Sequence, residues 1–222
     1  MRVPDLLVPA AEPPIVDVPA ARLRRWVVTA VTVVVGTALL AATLRVPHGS
    51  VWFTAGGLLV AATWTVGSLV SGPIPAQPDR DMAWRALVGP VVVGVAAFGA
   101  FLAACLVARH LPLVGPALDG VLATADAGPT PLVLFVALVN GAGEELFFRG
   151  ALHAALEPHR PGIATTIVYV VVTAATGNVA LVIAAAVMGA LFSLERLSTR
   201  GVLAPMVTHV TWTTLMVLAL PR

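Results

Sequence analysis

The sequence predicts an all-α fold, a polytopic integral-membrane bundle of about seven transmembrane helices. Three observations carry that expectation. Hydrophobic residues fill 59% of the 222 positions and charged residues only 11%, against roughly 45–50% and 25% in soluble domains. The mean hydropathy is +0.95. The apolar residues gather in runs of about 15–25, the length that carries a helix across a hydrocarbon core about 30 Å thick.

Taken in order, residues 1–25 form a Pro-rich segment ending in Arg22, Arg24 and Arg25. No short basic region abuts an apolar core there, so the segment reads as a disordered cytoplasmic tail and not as a signal peptide. Residues 26–222 read as one transmembrane domain. Its spans fall at about 26–44, 51–71, 86–108, 131–155, 163–177, 179–195 and 202–220. Only the Gly177-Asn178 pair separates the fifth from the sixth, as in a tight hairpin. The connection at 111–130 has room for an interfacial helix, which would make eight.

Charge sets the orientation. With the N-terminus inside, Arg2, Arg22, Arg24, Arg25, Arg80, Arg85, Arg160, Arg196 and Arg200 are cytoplasmic, while Arg45, Arg109 and Arg222 lie outside. The sequence pI near 9.5 therefore reflects topology, and no nucleic-acid partner is expected. The single Cys105 excludes a disulfide framework and a thiolate metal cluster. The expected partners are the lipid bilayer and a peptide or membrane-protein substrate. The expected location is the cell membrane of a bacterium, because every basic residue is Arg and the chain is compact.

Against this apolar background, NGAGEELFFRG at 140–150 stands out. A charge at the bilayer centre costs about 2.5–3.5 kcal/mol on insertion scales, and Glu144 and Glu145 sit side by side. The apolar sequence resumes after them, so they do not read as the solvated end of a span. Glu145 and Arg149, at i,i+4, share a helix face and can pair. In one division of labour Arg149 neutralises Glu145 while Glu144 faces a cavity as general base for water; in the other the roles are reversed. Gly141, Ala142 and Gly143 would admit another helix closely.

Two further polar residues fall at compatible depths. His209 lies on an apolar span with Thr213 at i+4, and its imidazole can bind a metal, take a proton or hydrogen-bond an oxyanion. Asn178 reads as a turn residue or as a polar group of the same mid-membrane layer. His110, His153 and His159 read as interfacial. There is no H-E-x-x-H, no G-x-S-x-G and no phosphate-binding loop. Intramembrane carboxylates also suit an ion path, but no pair of matching broken helices supports a transporter.

Glu144-Glu145-x-x-x-Arg149, together with GVLAPMVTHVTW near the end, resembles the CPBP family of CAAX-protease and bacteriocin-processing membrane proteins over about residues 85–220. The resemblance implies a helical bundle around a cavity open to the cytoplasm and an intramembrane endopeptidase activity. It implies that Glu144 activates water with a His from a middle helix, and that Glu145 and Arg149 support the site. His209, with an Asn four residues on, would stabilise an oxyanion or bind a metal. Glu144 and His209 would then be the ligands of a divalent ion such as zinc. Two positions depart from the pattern. The family's FxxxH has no His here, with Thr176 or Asn178 in the corresponding place, and Thr213 stands where Asn is expected. The alternative is a catalytically impaired member acting as a membrane binding or scaffold protein.

Overall fold

The computed structural model describes residues 19–74, 83–125, 128–157 and 159–219, and those residues are helix and connection with no strand among them. Helix α1 (Pro19–Thr43) begins before the expected residue 26, so the Arg flank is helical and not part of a tail. Proline at the first helical position is favourable, since its missing N–H would have no partner there. Arg25 is buried, and its Nη1 donates to the Pro73 carbonyl at 3.1 Å, tying the start of α1 to the segment after α2. The first 18 residues of the expected tail lie outside the described residues. Along α1, the Thr29, Thr32 and Thr37 hydroxyls return hydrogen bonds to carbonyls four residues back, satisfying themselves in apolar surroundings.

Helix α2 (Val51–Ser71) has the expected bounds and is capped by Ser50, whose Oγ accepts from the Phe53 N–H. Helix α3 (Ala83–Ala108) carries Pro90 within it. The short α4 (Val114–Ala125) is the helix that the 111–130 connection had room for. Helix α5 (Thr130–Leu156) runs past the glutamates and turns π-helical over Leu146–Leu152. Helix α6 (Pro161–Ala174) stops short of the expected 177 because Thr176 folds back onto the Thr173 carbonyl and Gly177 takes φ 75°. Helices α7 (Val179–Thr199) and α8 (Leu203–Ala219) complete the bundle. Helices α1, α2, α5 and α7, and Leu87–Ala108 of α3, are long and apolar enough to cross a membrane; α6 and α8 are shorter apolar helices.

Helix α5 is the centre of the bundle, packed against α2 and α8, while α1 lies on α2, α3 on α8 and α6 on α7. Val34 of α1, Leu59 of α2 and Val92 of α3 point outward, as a lipid-facing surface requires. The core gathers Val60, Trp64, Phe147, Phe148, Ala151, Leu152 and Val172. Trp64 lies 5.0 Å from Phe147 and 5.2 Å from Phe148 between ring centroids. The helix order gives the bundle two ends. The near end, where α1 begins, carries the α2–α3, α5–α6 and α7–α8 connections. The far end carries the α1–α2 connection, α4 and the α6–α7 turn.

Candidate active site

The site grows from the point where α5 meets α8. Glycine at position 141 admits this close contact, since a Cβ there would stand 3.2 Å from His209 Cδ2 and the ring would have to give by a few tenths of an ångström. A Cβ at Gly143 would stand 3.1 Å from the Ala61 carbonyl oxygen, so α2 presses as closely on its side. Small residues thus admit two neighbouring helices immediately before the glutamate pair, as the sequence predicts.

The two glutamates then part company. Glu145 is fully buried and its Oε1 sits 3.3 Å from Arg149 Nη1 and 3.0 Å from His209 Nδ1. With Nδ1 of His209 engaged by the carboxylate that pairs with Arg149, Nε2 is left for other partners. His209 is fixed further by Phe192, stacked at 4.7 Å and 21°. Arg149 Nη2 donates to the Gly189 carbonyl at 3.0 Å, and the guanidinium lies 4.9 Å from the Tyr169 ring and 5.2 Å from the Phe192 ring. Arg196 Nε in turn donates to the Arg149 carbonyl at 3.0 Å. Next to His209, the Thr208 hydroxyl lies 3.0 Å from the Pro90 carbonyl and 2.7 Å from Glu195 Oε1, which holds α8 between α3 and α7.

Glu144 faces a cavity of about 630 Å³, and its Oε2 accepts a hydrogen bond from the Tyr169 hydroxyl at 2.8 Å. Of the two divisions of labour open to the sequence, the geometry has Arg149 on Glu145 and Glu144 in the cavity. Thr173, His209 and Thr213 line the same cavity, with Met188, Phe192 and Trp212 supplying apolar wall. A smaller cavity of about 240 Å³ between α1, α2 and α5 also reaches Glu144, through Asn140. Asn140 itself donates to the Gly57 carbonyl at 2.9 Å and pins α5 to α2.

Asn178 lines the cavity too, but its amide is engaged. Its Oδ1 accepts from the N–H groups of Ala180 and Leu181, capping α7, and its Nδ2 donates to the Ala117 carbonyl at 2.9 Å. The turn role is thus the one its hydrogen bonds express. Thr176 is spent on the same turn, donating to the Thr173 carbonyl and accepting from the Asn178 N–H. Tyr169 and Thr173, one turn of α6 apart, both face Glu144's cavity. Sequence reasoning passed over Tyr169; its signal was that the chain's one tyrosine sits inside an apolar span, where a phenol needs a partner.

The cavity opens toward the far end of the bundle. It runs from Glu144 and His209 past Thr176 and Gly177 to His48 and Gly120, on the α1–α2 connection, the α6–α7 turn and α4. Below Glu144 the near-end side is filled by the fully buried Trp64, Phe147, Phe148, Phe192, Arg149 and Arg196. The sequence expectations placed the Arg-rich near end in the cytoplasm and the cavity mouth there as well; the two features lie at opposite ends.

A catalytic zinc needs three protein ligands. Among the described residues no three His, Cys, Asp or Glu side chains form a group able to hold a metal. Glu145, the nearest third donor, is turned into its pair with Arg149. The donor set of Glu144 and His209 alone does not fit zinc.

Comparison with curated proteins and with solved structures returned no match. Residues 126–215 match the family model described as type II CAAX prenyl endopeptidase Rce1-like. That stretch holds α5 to most of α8, with Glu144, Glu145, Arg149, Tyr169, Thr173 and His209 all inside it. Through this segment, which is less than half of the chain, the protein is similar to the CAAX-protease family.

Proposed function

We propose that this membrane protein is an intramembrane endopeptidase, CAAX-protease-like, that hydrolyses a peptide bond in a membrane-associated substrate. The observation that carries this reading is the separation of the glutamates, Glu145 buried in an ion pair and Glu144 facing the cavity that His209 also lines. Glu144 takes a proton from water as the oxygen attacks the scissile carbonyl. The Tyr169 hydroxyl, donating to Oε2, holds that carboxylate in one rotamer. His209, held at Nδ1 by Glu145, turns Nε2 to the cavity to hydrogen-bond the reacting oxygens. Collapse of the tetrahedral intermediate breaks the C–N bond, and the leaving amine takes the proton back from Glu144.

General base catalysis is worth roughly 10²–10⁴ in rate, so Glu144→Gln removes nearly all cleavage while membrane insertion persists. The check compares new protein N-termini in membranes of cells making the parent protein, Glu144→Gln or His209→Ala. Termini that vanish in both variants support the reading, and identical sets in all three sink it.

Thr176 or Asn178, standing where the family pattern has His, and Thr213, where it has Asn, favour a second reading as a binding member without catalysis. A stable membrane partner captured equally by the parent and by Glu144→Gln, with no change in N-termini, is the result that reading requires.

A further inference from the structure

We infer that the cavity takes its substrate from the non-cytoplasmic side of the membrane: a polypeptide segment already translocated, or the outer end of a membrane span. The inference rests on Glu144 and His209 being the reacting centre. Three independent features carry it. Among the described residues, the near end of the bundle holds Arg22, Arg24, Arg25, Arg160 and Arg200, whereas the helix ends and connections of the far end hold Arg45 and Arg109. Arg-rich connecting segments stay in the cytoplasm during insertion, so the near end is cytoplasmic.

The cavity's mouth is at the other end. Its walls reach the exposed His48 and Gly177 of the far-end connections, and among the described residues none of the near-end connections contributes to it.

Entry from the near end is closed by packing. Trp64, Phe147, Phe148 and Phe192 are 0% exposed, and Arg149 and Arg196 are buried beside them. A peptide arriving from that side would have to break the bonds of Arg149 to Glu145 and Gly189 and of Arg196 to Arg149. Breaking the Arg149–Glu145 pair would leave buried charge uncompensated. The open route passes Thr213 and Thr173 and reaches Glu144. A lipid-modified C-terminus presented on the cytoplasmic face would meet the closed side.

The test is thiol accessibility in whole bacteria expressing the full chain. In a Cys105→Ala background, Ala117→Cys and Val217→Cys each place a thiol in the cavity wall, and Ser198→Cys places one on the exposed near end of α7. A charged, membrane-impermeant thiol reagent is applied to intact cells and to inverted membrane vesicles. The expected result is labelling of the two cavity thiols in intact cells, with Ser198→Cys labelled only in the inverted vesicles. Cavity thiols that react only in inverted vesicles, or in neither preparation, overturn the inference. Accessibility does not depend on turnover. Outside labelling together with unchanged N-termini in Glu144→Gln would therefore sink the protease reading and leave the access side standing.

Discussion

Tyr169 hydrogen-bonds Glu144 through one phenol hydroxyl while its ring lies under Arg149, so one side chain touches both glutamate systems. Tyr169→Phe separates the two functions, because phenylalanine keeps the ring and deletes the hydroxyl. A hydrogen bond to a charged group is worth about 1.5–3 kcal/mol, so cleavage of a substrate found by N-terminal profiling falls roughly 10- to 100-fold in kcat. The thermal midpoint in detergent stays close to the parent's, since ring packing on Phe148 at 4.8 Å is retained. An unchanged kcat would remove Tyr169 from the positioning of Glu144. At this scale the sequence was legible where chemistry is costly. Glu144, Glu145, Arg149 and His209 each stand out as polar groups in an apolar run, and the fold brings all four together. Asn178 stood out equally well but is occupied as a cap, because a polar residue at a turn and one at a site look alike until their partners are seen.

Among elements, the contact between α5 and α8 sets the site's precision. His209 is held flat between the backbone of α5 at Gly141 and the Phe192 ring on α7. Gly141→Ala puts a methyl 3.2–3.3 Å from His209 Cδ2 and Nε2, so the ring must give by a few tenths of an ångström. Alanine in place of glycine gains about 1 kcal/mol of helix propensity, which offsets the tighter packing. Misplacing a catalytic group by about 1 Å costs on the order of 10² in rate; this smaller shift costs on the order of tenfold. The expected signature is a melting temperature near the parent's with cleavage about tenfold down, and full activity would show that α8 moves freely away from α5. Span positions were legible here because length and apolarity fix them, and α2 falls on its expected bounds. The π-helical turn at Leu146–Leu152 was not legible, since its residues LFFRGAL suit an ordinary α-helix. Nor was the early start of α1, which depends on Arg25 finding the Pro73 carbonyl across the bundle.

Across the whole molecule, the buried charges clamp the helices that surround the cavity floor. Arg149 on α5 reaches Glu145 and the Gly189 carbonyl of α7, Arg196 of α7 reaches back to the Arg149 carbonyl, and Glu145 continues to His209 of α8. Three helices therefore share one ionic knot, and the aromatic plug packs against it. The overall class and charge bias were legible from composition, but this closure was not, because it joins residues 40 and 47 positions apart. Removing one partner of a buried pair costs about 3–5 kcal/mol, since the other charge is left uncompensated. Arg149→Met should lower the melting temperature in detergent by on the order of 10 °C for a chain of this size. The double variant Glu145→Gln/Arg149→Met removes both charges, so it should melt above Arg149→Met alone despite carrying one more substitution. If the second substitution only adds to the loss, the knot is not acting as a coupled pair. If Arg149→Met melts with the parent, the clamp is not what closes the near end, and the closed side must then rest on the aromatic plug alone.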